Sequence, residues 1–522
     1  MINMIAKKLT LKTSGLKLLV RLVFTVSLVA AGPAFAATSV VDTQAGRIQG
    51  VELEGVHSFK GIPYAMAPID ELRWQVPRPV GKQANLIDAS EFGRACLQPV
   101  RPGTSVTDMS EDCLMLNIWT PQPDSKKRPV MVWIHGGGFR GGSGNIPGET
   151  FSDQGVVLVS LNYRLGPLGF FSHEALPGRP ANMGVLDMIA ALQWVQDNIQ
   201  NFGGDPGNVT IFGVSAGGMA VNLLLTSEGA KGLVHRAIAQ SGYSAWALPR
   251  NAKAPNPAPK NVYMGKAEQA EDISRELVTL VSDQLQTKDM LYKLDGSALV
   301  KAQVGFQVPI VDGDSVLEEP GIRFMRGDQL DVPYMSGGNS FEGSVMRWSG
   351  ISTEDYTRSI GDNLDEARRL YSDDSDDIWL SRMFGDNRYL LSARLLASSM
   401  SQVSSNSWLY YTDFVAAEEK QNTPGTAHGT DGYFIFAGHL DKNELIQALS
   451  QRMQRYWVNF ARTGNPNGDG LLQWPTYDRA SDRWMVFSET DTIQSGVIRP
   501  KLDFLESLYK KRVALHYDAL HE

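Results

Sequence analysis

One pentapeptide constrains this chain more than any other feature: residues 213–217 form its only G-x-S-x-G segment. Residues 209–212 directly before it are typical of a strand, and residues 218–225 directly after it favour a helix. A serine on so sharp a turn between strand and helix has strained backbone angles and needs small neighbours, which the glycines supply. The turn exposes the hydroxyl, and the helix N-terminus offers donors for developing negative charge. The segment therefore predicts a nucleophile, Ser215.

Apolar runs alternate with helical patterns on both sides of this serine. Residues 130–134 and 156–161 form two more strand-like runs, and residues 182–198 have helical spacing. Continuous apolar strands that alternate with helices indicate an α/β protein with a parallel sheet buried on both faces. Residues 261–300 and 352–402 are helical and irregular in pattern, and we expect them to cap a site.

A glycine run follows the strand-like residues 130–134. His135 is succeeded by three glycines at 136–138. Consecutive glycines after a strand can turn their backbone N–H groups toward one point, as an oxyanion hole requires. Together with the N–H of Ala216, those of Gly137 and Gly138 give three donors, and losing one such donor typically costs about 3 kcal/mol of transition-state stabilisation. The alternative is a flexible turn without a role in catalysis.

The base for the serine must be one of eight histidines. A strand–serine–helix turn of this type is followed in the chain first by an acid and then by the histidine. Six histidines lie too early, too close to the serine, or in the charged terminal helix: His57, His135, His173, His235, His516 and His521. His439 follows a helix-like apolar stretch, which favours packing. His428 lies in a loop of small residues after the strand-like run 408–412, and it is the predicted base.

The orienting acid must lie between the serine and the histidine. Glu342 is favoured because it follows the strand-like residues 332–336 and a loop predicted at 337–340, and so lies at a strand end. Asp312 and Asp314 are nearby alternatives. Asp431 comes after His428 and does not fit the expected order.

The N-terminus has the pattern of a secretory signal. Residues 1–21 contain five basic residues and no acidic one, residues 22–31 are apolar, and a small-residue motif ends at Ala36. The apolar run is well short of the ~20 residues needed to span a bilayer, so no stable membrane anchor is expected. We expect cleavage near Ala36 and export to the periplasm or the medium. Residues 37–522 then form a single domain.

Composition restricts the partners. A net charge of −8 argues against non-specific nucleic-acid binding. Two cysteines are too few for a disulfide-dense scaffold or a cysteine-only zinc site. In an oxidising compartment Cys96 and Cys113 are expected to form a disulfide, with two separate buried thiols as the alternative. The sequence has no metal-ligand cluster, dinucleotide fingerprint or phosphate loop, so no cofactor and no metal are expected.

Segments throughout the chain resemble the type-B carboxylesterases, a group that includes cholinesterases and bacterial para-nitrobenzyl esterases. The similar segments are residues 59–64, 110–119, 132–139, 162–166, 203–206, 212–218, 240–242 and 457–466. They fall in the order and spacing of that family from about residue 40 to 515. The resemblance implies an α/β-hydrolase fold with a mostly parallel central sheet flanked by helices. Helical cap insertions are expected near 243–310 and 343–400.

The resemblance also implies residue roles. Those roles are nucleophile Ser215, acid Glu342, base His428, oxyanion donors Gly137, Gly138 and Ala216, acid-supporting Ser241, and a disulfide between Cys96 and Cys113. Two further pairs resemble structural ion pairs of the family: Arg73 with Glu111, and Arg164 with Asp187.

Three positions depart from the family pattern. Val214 stands where the family usually has glutamate, which removes a negative charge beside the serine. The loop between Cys96 and Cys113 lacks the aromatic residue that a quaternary ammonium would need, so choline esters are not expected. Asp431 stands where glutamate is common, and the sequence alone does not explain that change.

The predicted function is that of an exported serine carboxylesterase, which hydrolyses small-molecule carboxylic esters with water through an acyl-enzyme. Two alternatives remain at this stage: a non-catalytic adhesion or binding protein on the same fold, and an amidase or thioesterase with the same catalytic residues. Neither the natural ester nor the oligomeric state is predicted.

Overall fold

The computed structural model describes residues 37–100, 108–254, 269–305 and 307–518. The predicted leader, residues 1–36, lies outside these ranges. Within them, no helix combines the length and the apolar character needed to cross a membrane.

A thirteen-stranded sheet runs through the described residues. Its central strands are parallel, and the strands toward both edges are antiparallel. In spatial order the strands are Ala37–Thr43, Gly46–Leu53, Val56–Pro63, Met115–Thr120, Val157–Leu161, Arg128–Ile134, Gly204–Val214, Arg236–Gln240, Tyr334–Asn339, Ser407–Thr412, Arg483–Phe487 and Thr492–Ser495. The short strand Ile87–Asp88 pairs with the second of these, and Ala95–Cys96 pairs separately with Met109–Ser110.

Both faces of the sheet are covered. Along Arg128–Ile134 the side chains alternate between two apolar clusters, with Val130 and Val132 in one and Met131 and Trp133 in the other. Every residue of the neighbouring strand Val157–Leu161 is buried. This two-sided burial confirms the α/β class predicted from the continuous apolar runs.

Helices lie along the chain between the strands and in the two stretches predicted to be helical and irregular. The α-helices are Glu149–Ser152, Gly166–Gly169, Met183–Asn198, Ala216–Leu225, Ala270–Thr279, Lys288–Lys293, Gly296–Ala302, Pro320–Arg326, Thr353–Ile360, Leu364–Leu370, Trp379–Gly385, Leu391–Ser399, Thr430–Ala437, Glu444–Thr463 and Arg499–Asp518. Single 3₁₀ segments are Asp70–Leu72, Ile199–Phe202, Glu228–Ala230, Glu342–Trp348, Gly361–Asn363, Met400–Gln402 and Gly438–Leu440, and Asp386–Leu390 forms one π turn.

One predicted loop is a strand. Residues 337–340 are predicted to form a loop, but the strand Tyr334–Asn339 includes most of them. A Cβ atom at position 337 would lie 2.4 Å from the ring of Tyr410. Glycine is therefore needed here because the neighbouring strand's aromatic side chain occupies the space, and the strand pairing continues to Asn339.

The carboxyl ends of five parallel strands meet at one edge of the sheet. Their register pairs Ile134 with Gly213, Val214 with Gln240, and Asn339 with Thr412. In open α/β sheets this edge is where ligands bind. The segments that carry Gly137, Ser215, Ser241, Glu342 and His428 all follow these strands.

Candidate active site

Ser215 occupies a strained turn between a strand and a helix. Its backbone angles are φ 60° and ψ −119°, and the helix Ala216–Leu225 starts at the next residue. The Ser215 N–H donates to the Gln240 carbonyl at 2.8 Å. A residue other than glycine with φ in this region is costly and is commonly found at functional sites. The geometry is that of the predicted nucleophile turn.

The two glycines of the pentapeptide are needed for close backbone packing. A Cβ atom at position 217 would lie 2.0 Å from the Ile134 carbonyl oxygen, and one at position 213 would lie 2.4 Å from the same atom. No real Cβ atom approaches so closely. The strand before the glycine run can therefore pass directly beside the serine turn.

The glycine run lies against Ser215. A Cβ atom at position 136 would lie 3.2 Å from that of Ser215. Gly137 and Gly138 have φ values of 108° and 66°, which favour glycine. Their carbonyls accept hydrogen bonds from Gly141 at 3.1 Å and Gln307 at 3.0 Å. The run thus has a defined conformation beside the serine.

His135 supports the glycine run rather than acting as a base. Its ring is buried and stacks on Tyr163 at 4.4 Å, and its Nδ1 lies 2.8 Å from the Gly136 carbonyl oxygen. The Tyr163 hydroxyl donates to the His135 carbonyl at 2.8 Å. Burial lowers the pKa of His135 to about 4, so the ring is neutral at neutral pH.

The loop closed by the disulfide is bonded to Gly142, four residues beyond the glycine run 136–138. Cys96 and Cys113 form a disulfide, as predicted. Two residues beyond Cys96, the Gln98 side chain donates to the Gly142 carbonyl at 2.8 Å and accepts from the Gly142 N–H at 2.8 Å. Gln98 belongs to no motif, so its role was not predicted from the sequence.

Glu342 and His428 are brought together across 86 positions of the chain. Nδ1 of His428 is hydrogen-bonded to Oε2 of Glu342. The Glu342 side chain is completely buried, and that of His428 is 8% exposed. The His428 N–H donates to the Ser344 hydroxyl at 2.9 Å, which fixes the backbone of the histidine loop.

The other oxygen of Glu342 accepts three hydrogen bonds. Its Oε1 accepts from the Ser241 hydroxyl at 2.6 Å, from the Asn339 N–H at 2.6 Å and from the Asn339 side-chain amide at 3.1 Å. Ser241 therefore contacts the acid in the way the family resemblance implied. The carboxylate is held in one orientation, with Oε2 toward the histidine.

A π turn brings an aromatic ring to the histidine. The ring of Tyr389, in the turn Asp386–Leu390, lies 4.3 Å from that of His428. Single π turns in proteins are frequent at functional sites. No pattern in the sequence indicates this contact, because it depends on one extra residue in a helical turn.

The Arg382 side chain is bonded to both the segment that carries Glu342 and the segment that carries His428. Arg382 donates to the Ser340 carbonyl at 2.7 Å and to the Pro424 carbonyl at 3.2 Å. In addition, Phe341 and Ala427 form a parallel β-bridge. Two segments far apart in the sequence thus share one rigid junction.

Two of the alternative acids, Asp312 and Asp431, are bonded to other groups. Asp312 accepts hydrogen bonds from backbone N–H groups of its own turn, including Ser315 and Val316 at 2.9 Å each. Asp431 is buried and bonds to Asn339 at 2.9 Å. The two implied ion pairs are present, Arg73 with Glu111 at 2.5 Å and Arg164 with Asp187 at 2.7 Å. In the part of the chain that the structure describes, no group of three or more potential ligands is arranged to hold a metal ion.

A mostly parallel sheet with a strained serine after a central strand, and a buried acid–histidine pair at the same edge, defines a serine hydrolase of the α/β-hydrolase class. Solved structures share this fold. A para-nitrobenzyl esterase structure superposes with a TM-score of 0.77 at 30% identity, over 89% of this chain and 99% of the other. A carboxylesterase from Geobacillus stearothermophilus gives a TM-score of 0.76 at 28% identity, over 90% of this chain and 99% of the other.

The chain belongs to the carboxylesterase family, whose pattern matches residues 37–505. It is 32% identical to a para-nitrobenzyl esterase from Bacillus subtilis, over 87% of this chain and 96% of that protein. It is 33% identical to a fumonisin B1 esterase from Sphingopyxis macrogoltabida, over 84% of this chain and 85% of that protein. The protein is a carboxylic ester hydrolase, with an ester and water as its substrates.

Proposed function

We propose that Ser215, His428 and Glu342 form the catalytic triad of this esterase. The observation that carries the proposal is the buried hydrogen bond between Glu342 and His428, at the same sheet edge as the strained Ser215 turn. A glutamate bound to Nδ1 leaves Nε2 of the imidazole as the nitrogen that can accept a proton.

In the proposed reaction His428 takes the proton of Ser215 while the serine oxygen attacks the ester carbonyl. The N–H groups of Gly137, Gly138 and Ala216 stabilise the negative oxygen of the tetrahedral intermediate. His428 then gives its proton to the leaving alcohol, and the C–O bond to that alcohol breaks. Water, deprotonated by His428, attacks the acyl-enzyme, and the acid is released with Ser215 restored.

We also propose that the protein is exported and acts as one catalytic domain. Residues 1–36 are removed as a leader, and residues 37–522 fold as a single domain with cap insertions near 243–310 and 343–400. The basic, apolar and small-residue pattern of the leader supports export. The disulfide between Cys96 and Cys113 agrees with an oxidising compartment. The proposed location is the periplasm or the medium.

The first prediction concerns Ser215→Ala, which we expect to lower p-nitrophenyl ester turnover by at least about 10⁴-fold, since the covalent step is lost. An organophosphonate should label the native protein once per chain and leave this variant unlabelled. Ser401→Ala, at an exposed serine, is the matched control and should keep native turnover and labelling.

Near-native turnover by Ser215→Ala would show that another group is the nucleophile. A panel of matched esters, amides and thioesters tests the bond that is cleaved. We expect esters to react fastest, and faster turnover of the matched amide or thioester would replace this proposal with an amidase or thioesterase.

A further inference from the structure

A second buried carboxylate, Asp431, lies close to the proposed triad. It is completely buried in the first turn of the helix Thr430–Ala437. Its Oδ2 accepts from the Tyr410 hydroxyl at 2.6 Å and from the Gln240 amide at 3.2 Å, and its Oδ1 accepts from the Asn339 amide at 2.9 Å. All three partners are neutral donors, so hydrogen bonds rather than an ion pair hold this carboxylate.

The Asn339 side chain joins the two carboxylates. Its amide nitrogen lies 2.9 Å from Oδ1 of Asp431 and 3.1 Å from Oε1 of Glu342. Its oxygen accepts from the Asp431 backbone N–H at 3.2 Å. The amide therefore has one favoured orientation, because a 180° flip would turn its oxygen toward both carboxylates.

The side chains that donate to Asp431 are Gln240, Asn339 and Tyr410, from three neighbouring strands. Behind them, the Trp457 indole donates to the Gln240 oxygen at 3.2 Å. Burial raises the pKa of Tyr410 well above its usual value, so its hydroxyl stays neutral and donates. Arg452, on the helix that carries Trp457, pairs elsewhere with Asp491. Glu342 is the charged neighbour that shares the network, and burial together with its charge raises the pKa of Asp431.

We propose that Asp431 is a positioning residue for this reaction: through the Asn339 amide it keeps Glu342 directed at His428, and its negative charge favours the protonated imidazole. The imidazole is protonated in both tetrahedral intermediates, so a second buried negative charge lowers their energy. This inference rests on the triad proposed above. It also gives Asp431, a departure from the family pattern, a role in the reaction.

Asp431→Asn removes the charge while keeping the size of the side chain and one acceptor oxygen, although its NH2 group then faces a donor. We expect kcat to fall by about 10-fold with KM changed by less than about 2-fold, the scale of a displaced reacting group. The acidic limb of log kcat/KM against pH should move by about half a unit toward lower pH, since losing a negative charge disfavours the protonated imidazole. All rates are divided by the number of sites that an organophosphonate labels.

Ser450→Ala is the matched structural control. The Ser450 hydroxyl is buried and accepts from the Gly438 N–H at 2.8 Å, just beyond the other end of the helix that begins beside Asp431. We expect this variant to have a lower Tm, with the native kcat per site and the native acidic limb. An Asp431→Asn variant that shows only a lower Tm, as Ser450→Ala should, would overturn the proposal.

Asn339→Leu removes the bonds to both carboxylates while keeping the carboxylates themselves, so it can still overturn the proposal if Asp431→Asn does not fold. We expect kcat per labelled site to fall by about 10-fold or more. A value within about 2-fold of native would overturn the proposal. If an organophosphonate does not label Ser215 of the native protein, the proposed triad is wrong. If it does label Ser215 but the Asp431 and Asn339 variants keep native kcat values, only the role of Asp431 is contradicted.

Discussion

The two halves of the site are held together by different forces. The serine half depends on backbone contacts, in which Gly136, Gly213 and Gly217 have no room for a side chain. The acid–histidine half depends on side-chain hydrogen bonds, such as those from Ser241 to Glu342 and from Arg382 to the Ser340 carbonyl. Steric contacts fail abruptly when an atom is added, whereas hydrogen bonds can be lost one at a time. We therefore expect an added side-chain atom at the glycines of the serine half to abolish folding or activity. In the acid–histidine half we expect the loss of one hydrogen bond to lower activity only partly.

The largest effect is expected for Gly217→Ala in the serine half. The added methyl would lie 2.0 Å from the Ile134 carbonyl oxygen, and the two backbones belong to a central strand and to the helix Ala216–Leu225. We expect a loss of more than about 4 kcal/mol in the free energy of unfolding, or no folded protein. Thermal unfolding and ester turnover measure it.

Gly81→Ala is the control, because a Cβ atom at position 81 meets nothing within 4 Å. It should keep the native Tm and turnover. A Gly217→Ala protein with native Tm and kcat would remove the distinction between the two halves.

The next effect is a pH dependence of stability that originates in the serine half. Burial lowers the pKa of His135 from 6.5 to about 4, so the unfolded chain takes up this proton more readily than the folded one. This contribution to stability is complete above pH 6.5 and is lost as the pH falls through about 4. At about 1.36 kcal/mol per pH unit it amounts to about 3 kcal/mol.

We expect His135→Gln to flatten the decline of stability between pH 6.5 and 4, as measured by urea unfolding at several pH values. His57→Gln, at a partly exposed histidine of the strand Val56–Pro63, should keep the native slope. Equal slopes for the native protein and His135→Gln would contradict a neutral, buried imidazole.

The smallest of these effects is expected in the acid–histidine half. Arg382→Met keeps the apolar stem of the side chain but loses the hydrogen bonds to Ser340 and Pro424 and the ion pair with Asp374 at 2.8 Å. We expect kcat to fall by about 10-fold, or about 1.4 kcal/mol, with a much smaller change in KM, because the two segments are less well aligned. Steady-state kinetics with a p-nitrophenyl ester measures the change.

Arg358→Met is the matched control, since its side chain is 60% exposed and makes only surface ion pairs. It should stay within about 2-fold of the native kcat. If Arg382→Met abolishes activity outright, the acid–histidine half responds as abruptly as the serine half, and the comparison fails.

The sequence predicted the serine half well because that half is local. The strand, the serine and the helix are consecutive in the chain. Glycines at 213 and 217 are required by close backbone contacts that are general for this type of turn. Glu342 and His428 were predicted from chain order and small-residue loops, and the structure brings them together. Their assignment to catalysis stays a prediction.

The supporting groups of the acid–histidine half could not be predicted in the same way. Arg382 and Tyr389 there, and Gln98 in the serine half, act through contacts with residues 39 to 44 positions away, and no periodicity relates the partners. The strand position of Gly337 could not be predicted, because the Tyr410 ring that excludes a side chain there lies on another strand. Such contacts depend on strand order, which a single sequence specifies only through the complete fold.

The bridge between Phe341 and Ala427 has a consequence for how this enzyme can diversify. Phe341 directly precedes Glu342, and Ala427 directly precedes His428. The bridge therefore holds the two ends of the long segment between the acid and the histidine next to each other. Changing the length of an exposed turn within it, such as residues 417–422, costs little, since doubling a flexible loop adds only about 0.6 kcal/mol of closure entropy. This part of the chain can therefore change in length while Glu342 and His428 keep their register.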